Sequence, residues 1–286
     1  VLAAVAQCGV AGRGLASGWT PLALHAVTAG LVYLLFVNLT TRKLGAPLIA
    51  AVLFGAHPLN AASLAAGGAA WGAAGAALGL LSGILLARSP REPRLLWPSL
   101  AAYAASLPLA PGGAAIPFLV AAGVVAYHGL EPSRLFTKRL LPRFAAFLVP
   151  LAAWIVWTFV ARDATPTGFG SAPAFVAGIV APFGSADVHG AVVGAAIAAA
   201  SIAVGLLRLR AAPKFAWPLL AFGASLAAAA LAPSASVSFS AALAFAALLV
   251  AEGIERLFHR FGGAVAMPLT LIVWAALAVE SHLAAR

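Results

Sequence analysis

The sequence predicts an all-α fold, a polytopic transmembrane helical bundle of about nine spanning helices with one further interfacial or re-entrant helix. Three observations lead there. Of the 286 residues 63% are hydrophobic and only 8% charged, with a mean hydropathy of +1.04, whereas ordinary soluble domains carry about 25% charged residues. Lys and Arg stand in short clusters between apolar runs. Those clusters also alternate in the way that the excess of basic residues in cytoplasmic loops requires.

In chain order, Val1 to Gly18 is apolar but broken by Gly9, Gly12, Arg13 and Gly14, which suits a peripheral, interfacial N-terminal segment. Val1 is not an initiator methionine, so an upstream segment is expected. The first span runs from about Thr20 to Asn38 and stops at Arg42-Lys43. The next helix meets Pro58 before crossing a bilayer. Pro58 has no amide donor and pushes His57 out of helical dihedrals, so the helix ends there. Counting back to Lys43 gives about 15 residues, or roughly 22 Å, against a hydrocarbon core of roughly 30 Å. At that depth a polar pair such as His57 and Asn60 is tolerated only inside protein or beside a wet cavity. A Pro-kinked helix end with a hydrogen-bonded His57 and a functional cavity both fit.

A third span, about Ala69 to Ala87, carries Gly75, Gly79 and Gly83 at four-residue spacing, a ridge that lets a neighbouring helix approach closely. Arg88, Arg91 and Arg94 end it. Spans at about Leu95 to Leu107 and Ala114 to Tyr127 flank an uncharged turn, Pro108 to Gly113. The most basic loop follows, with Arg134, Lys138, Arg139 and Arg143. Further spans cover about Phe144 to Ala161, Val188 to Leu207, Phe215 to Leu231, Phe239 to Ile254 and Ala264 to Leu283. If Pro173 to Phe183 lies in the interface instead of crossing, all of the 17 Lys and Arg except Arg13, Arg162 and Arg286 fall inside. The chain then forms a single transmembrane domain over 1–286, with 162–187 an outer-face loop holding a short interfacial helix. A bacterial cytoplasmic (inner) membrane is the expected location.

The net charge of +10 does not imply nucleic acid, because the basic residues are dispersed as topology signals. A single cysteine, Cys8, excludes an intramolecular disulfide framework and a Cys-based metal site. No metal-binding His/Glu motif, Gly-rich phosphate loop or serine elbow is present, and no cofactor is expected. The apolar runs lack the chain of ionisable residues that an ion pathway needs. His25 and His128 sit in Ala- and Gly-rich helices where a ring nitrogen could ligate a haem or chlorophyll metal, but structural hydrogen bonding is the simpler role. Arg162-Asp163 reads most simply as an exposed surface pair.

The run Leu53-Phe54-Gly55-Ala56-His57-Pro58-Leu59-Asn60 resembles the "LF-x-x-HP" segment of C-type (GT-C) membrane glycosyltransferases, in the branch related to tetratricopeptide-linked protein O-mannosyltransferases. Thr20-Pro21-Leu22-Ala23-Leu24-His25 is similar to that family's "NP-x-x-x-H" helix start, and the order of later elements follows the family from about Trp19 to Leu249. The resemblance implies a multi-helix fold with an outer-face site that moves a sugar from a polyprenyl-phosphate donor. It also implies a first-loop carboxylate, a Lys-Glu pair shortly before the proline matching Pro117, and an Arg after the His-Pro helix. The chain departs from this pattern. Ala110-Pro111 occupies the Lys-Glu position, Ala65 to Trp71 contains no Arg, and the first outer loop would lie upstream of Val1.

A transferase of this kind needs a base for the acceptor and cations for the lipid phosphate. The candidates are His57 and Asp163 as catalytic groups, with Asp187 a third possible base, and Arg162, His25 and Asn60 as substrate contacts. So thin a set points instead to a non-catalytic membrane subunit with a transferase-like scaffold. It would pack in a larger membrane complex, of an energy-transducing kind such as a respiratory or photosynthetic one. The expected partners are the lipid bilayer, other membrane protein subunits and a polyprenyl-phosphate or other lipid. A polyprenyl-phosphate-sugar-dependent glycosyltransferase acting on the outer face is the alternative.

Overall fold

A computed structural model describes residues 15–40, 45–57, 69–128, 141–161, 188–208, 211–230, 240–262 and 267–268. Among these, nine α-helices follow one another: α1 (Leu15–Thr40), α2 (Ala46–Ala56), α3 (Ala69–Arg88), α4 (Leu96–Ser106), α5 (Ile116–His128), α6 (Leu141–Ala161), α7 (Val188–Arg208), α8 (Pro213–Ala230) and α9 (Ser240–Phe261). Two 3-10 turns, Pro93–Leu95 and Pro111–Ala115, introduce α4 and α5. Each turn opens on a proline, whose fixed φ and missing N–H suit a first helical position.

The helices run alternately up and down, and cross-contacts fix which ends lie together. Arg88 at the end of α3 donates from Nε to Asn38 Oδ1 near the end of α1, at 2.9 Å. Arg143 at the start of α6 donates to the Ser89 carbonyl at 3.2 Å. The Arg256 guanidinium of α9 lies over the Phe215 ring at the start of α8, and Trp217 of α8 donates to the Leu119 carbonyl of α5 at 2.8 Å. One end of the bundle therefore gathers the C-termini of α1, α3, α7 and α9 with the N-termini of α2, α4, α6 and α8.

The core forms where α1, α2, α3, α5, α8 and α9 meet. Phe36 and Phe245 approach at 6.0 Å between ring centroids, and Trp217 meets Phe245 edge-on at 5.5 Å. Trp217 fits because Gly123 lies against it: a Cβ at Gly123 would stand 2.6 Å from the indole. The same closeness recurs along the glycine ridge of α3. A Cβ at Gly75 would fall 2.7 Å from the Ala110 backbone nitrogen, one at Gly79 would lie 3.1 Å from Ile116, and one at Gly83 would lie 3.0 Å from Ile116 and Val120. Small residues on these helices set the distance between neighbours within the fold.

That packing is all-α, but it corrects the expected bundle of nine membrane-spanning helices. Among the described residues only one stretch, Leu22–Thr40 of α1, is long and apolar enough to cross a membrane. The remaining apolar stretches, Ala46–Ala56, Gly72–Arg88, Gly113–Val124, Arg143–Trp157, Ala196–Arg208 and Phe215–Ala227, have 10–17 residues. Such lengths fall short of the about 20 residues that a bilayer core of roughly 30 Å requires. In α9 the second half carries Glu252, Glu255, Arg256 and Arg260. A multi-pass placement in a bacterial inner membrane loses its structural basis with the spans. Composition misled because alanine raises hydropathy and, together with glycine, packs helix against helix as an interior does. The expected interfacial segment 1–18 lies outside the described residues except for the first turn of α1, as do the whole of the loop 162–187 and all but residues 267–268 of the last expected span.

Candidate functional site

The end of the bundle opposite Arg88 holds the histidines singled out by sequence. His25 lies on α1 and His57 is the residue at which α2 stops, with φ −67° and ψ 132°. Both are buried, at 8% and 7% exposure. A helix ends with carbonyls that no later amide can satisfy, and Pro58 removes one more donor just beyond α2. His25 answers that deficit: its Nε2 lies 3.0 Å from the Gly55 carbonyl oxygen, a contact that requires Nε2–H as the donor. The imidazole also lies against Phe54, 5.8 Å between ring centroids. The His57 amide turns back to the Phe54 carbonyl at 3.4 Å. Burial pushes the His57 imidazole down to about 4, so it is neutral at pH 7.

At the same end of the bundle, against α3, lies the turn between α4 and α5, where the family resemblance implies a Lys-Glu pair. Tyr103 donates its hydroxyl to the Ala114 carbonyl at 2.8 Å, Ser106 donates to the Tyr103 carbonyl at 2.8 Å, and the Ala110 amide bonds the Ser106 carbonyl at 2.8 Å. Burial pushes the Tyr103 phenol well above its usual range, which keeps it a donor. Ala110 is buried against Gly75. A lysine there has no space without separating α3 from the turn.

Of the residues named from sequence, the structure brings His25 of α1 against the last turn of α2, Phe54 to His57, where it meets the Gly55 carbonyl. Gly75, Gly79 and Gly83 face the turn and α5. Asn60, Arg162, Asp163 and Asp187 lie outside the described residues, and the side chain of His128 is likewise not described. Among the described residues, no group of three or more His, Cys, Asp or Glu side chains converges as metal ligands would. Of the two histidines, His25 satisfies the Gly55 carbonyl, and His57 is a buried, neutral imidazole at the residue where α2 ends.

The other end of α2 carries a residue that sequence reading passed over. Glu255 of α9 accepts a hydrogen bond from the Ala46 amide at 3.1 Å. It supplies the cap that the local sequence Gly45-Ala46-Pro47 lacks, since helix N-termini favour a carboxylate. His259, four residues on, lies 3.6 Å from Glu255 Oε1. An uncapped N-terminus was the available signal, but it does not name its donor when that donor is 209 positions away.

No family model, curated protein or solved structure matches the chain. The likeness to C-type membrane glycosyltransferases thus stands on its short motifs alone.

Proposed function

We propose that the chain is a non-catalytic helical scaffold subunit that packs against partner helices in a larger, membrane-associated assembly. The observation that carries this reading is the uncovered flank of α6, where Leu148, Val149, Ile155, Val156 and Trp157 are all exposed, Val149 at 69% and Trp157 at 62%. Contiguous apolar surface of that kind marks an interaction face. The candidate site supports the non-catalytic half: His25 is engaged with the last turn of α2, and Ala110 packs where the transferase pattern has charge.

Gentle detergent extraction of the tagged full chain should recover stoichiometric partners. Val149→Glu with Val156→Glu should release them while leaving the melting temperature of the purified chain unchanged. Recovery of the wild-type chain as a solitary monomer would overturn the assembly. Purified chain should show no sugar transfer from polyprenyl-phosphate mannose or glucose, and transfer that disappears in Asp163→Asn or His57→Ala would overturn the non-catalytic reading.

A further inference from the structure

Every charged side chain among the described residues belongs to one half of the bundle. Arg88, Arg91, Glu92, Arg94, Arg143, Arg208, Glu255, Arg256 and Arg260 stand at helix ends or in turns on the side that gathers the C-termini of α1, α3, α7 and α9, and Glu252 is buried two to three turns in from it. The described part of the opposite end has none. The arginines are therefore a face, and they project outward: Arg88, Arg91, Arg94, Arg208, Arg256 and Arg260 are all exposed.

Large apolar side chains are exposed beside them. Trp97, at the start of α4, is 74% exposed; Leu207, beside Arg208, is 80% exposed; and Phe261, at the end of α9, is 52% exposed with the Arg260 guanidinium 5.3 Å above its ring. A surface that alternates guanidinium with indole, phenyl and isobutyl matches a boundary where anionic phosphate gives way to hydrocarbon. A nucleic-acid duplex uses the cations but offers nothing to Leu207 or Phe261.

We infer that this end docks on anionic phospholipid headgroups, the arginines meeting lipid phosphates while Trp97, Leu207 and Phe261 enter the acyl boundary. This holds independently of the partner-helix reading, which concerns the flank of α6.

Fluorescent phosphatidylglycerol and phosphatidylcholine, titrated against the full chain in neutral maltoside micelles, would test it by anisotropy. The wild-type chain should bind phosphatidylglycerol at least about ten-fold more tightly at about 50 mM salt, with the preference falling below about two-fold at about 500 mM. Arg91→Gln, Arg94→Gln and Arg260→Gln combined should abolish the preference without shifting the melting temperature. The matching lysine variant should retain it, because lipid phosphates respond to charge. Trp97→Ala should weaken both lipids and leave their ratio unchanged. Equal binding of the two lipids by wild type, or a preference that survives the triple glutamine variant, would overturn the proposal. Displacement of phosphatidylglycerol by inorganic phosphate or by duplex DNA at equal charge concentration would also overturn it, the first by showing a free-anion site and the second a nucleic-acid face.

Discussion

At the end where α3 and α9 stop, neighbouring elements are joined by long ionic side chains: Arg88 to Asn38, Arg143 to the Ser89 carbonyl, Glu255 to the Ala46 amide. At the opposite end they are joined by missing Cβ atoms and buried neutral bonds: Gly75 against Ala110, His25 to the Gly55 carbonyl, Tyr103 to the Ala114 carbonyl. The difference lies in tolerance. An arginine can swing, and an exposed charged contact contributes at most about 1 kcal/mol and weakens with salt. A Cβ inserted against a backbone nitrogen has nowhere to go. The neutral end should be the more easily broken by single substitutions, the basic end the more easily changed by solution conditions.

The largest effect is expected at the neutral end. Gly75→Leu should cost more than about 3 kcal/mol by overpacking, seen as loss of the monodisperse peak in size-exclusion chromatography, whereas Gly72→Ala, which meets nothing within 4 Å, should elute as wild type. Equal tolerance of both would erase the proposed contrast. Next comes His57. Its folded pKa of about 4 lies below the ordinary 6.5, so the unfolded chain takes up the proton first as pH falls. Stability from this group is full above pH 6.5, declines toward pH 4 and is flat below, a change of up to about 3 kcal/mol across that window. His57→Asn should flatten the fall in denaturation midpoint between pH 7 and pH 4.5. An undiminished slope in that variant would move the effect to another group.

Smaller effects sharpen the comparison. His25→Ala should cost about 1–3 kcal/mol, because it strands the half-buried Gly55 carbonyl, and His25→Gln should recover part of it in thermal unfolding. At the basic end Glu255→Gln should cost about 1 kcal/mol at low salt and less at high salt. Arg88→Ala should cost under about 1 kcal/mol. A salt-independent loss in Glu255→Gln would show that the cap acts by shape and not by charge.

The helices themselves were legible because each apolar run in the sequence is bounded by a proline, a glycine or a basic cluster, and these bounds coincide with α1, α3, α4, α5, α6, α7 and α8 within a few residues. The end of α2 followed from Pro58 alone. Burial was not legible in the same way. Ala76, Leu80 and Ile84 of α3 are buried by protein, yet hydropathy reads alike for a residue facing another helix and one facing lipid. The alternation of basic clusters did not report whether the lengths between them suffice for a crossing. Of the candidate site, His57 was found from the proline break and His25 from the family resemblance. Glu255 was not, since its partner is an amide that carries no side-chain signal.

The Glu255 cap also has a consequence in time. Ala46 and Glu255 are 209 positions apart in the chain, so at roughly 5–20 residues per second of synthesis the N-terminus of α2 waits about 10–40 s for its carboxylate. Throughout that interval α2, an 11-residue segment that is marginal as an isolated helix, has α1 as its main support among the described helices. The chain is thereby obliged to close the bundle last where α9 packs against α2. A nascent chain arrested before residue 255 should be cut by protease between α1 and α2, and one arrested well beyond residue 262 should resist.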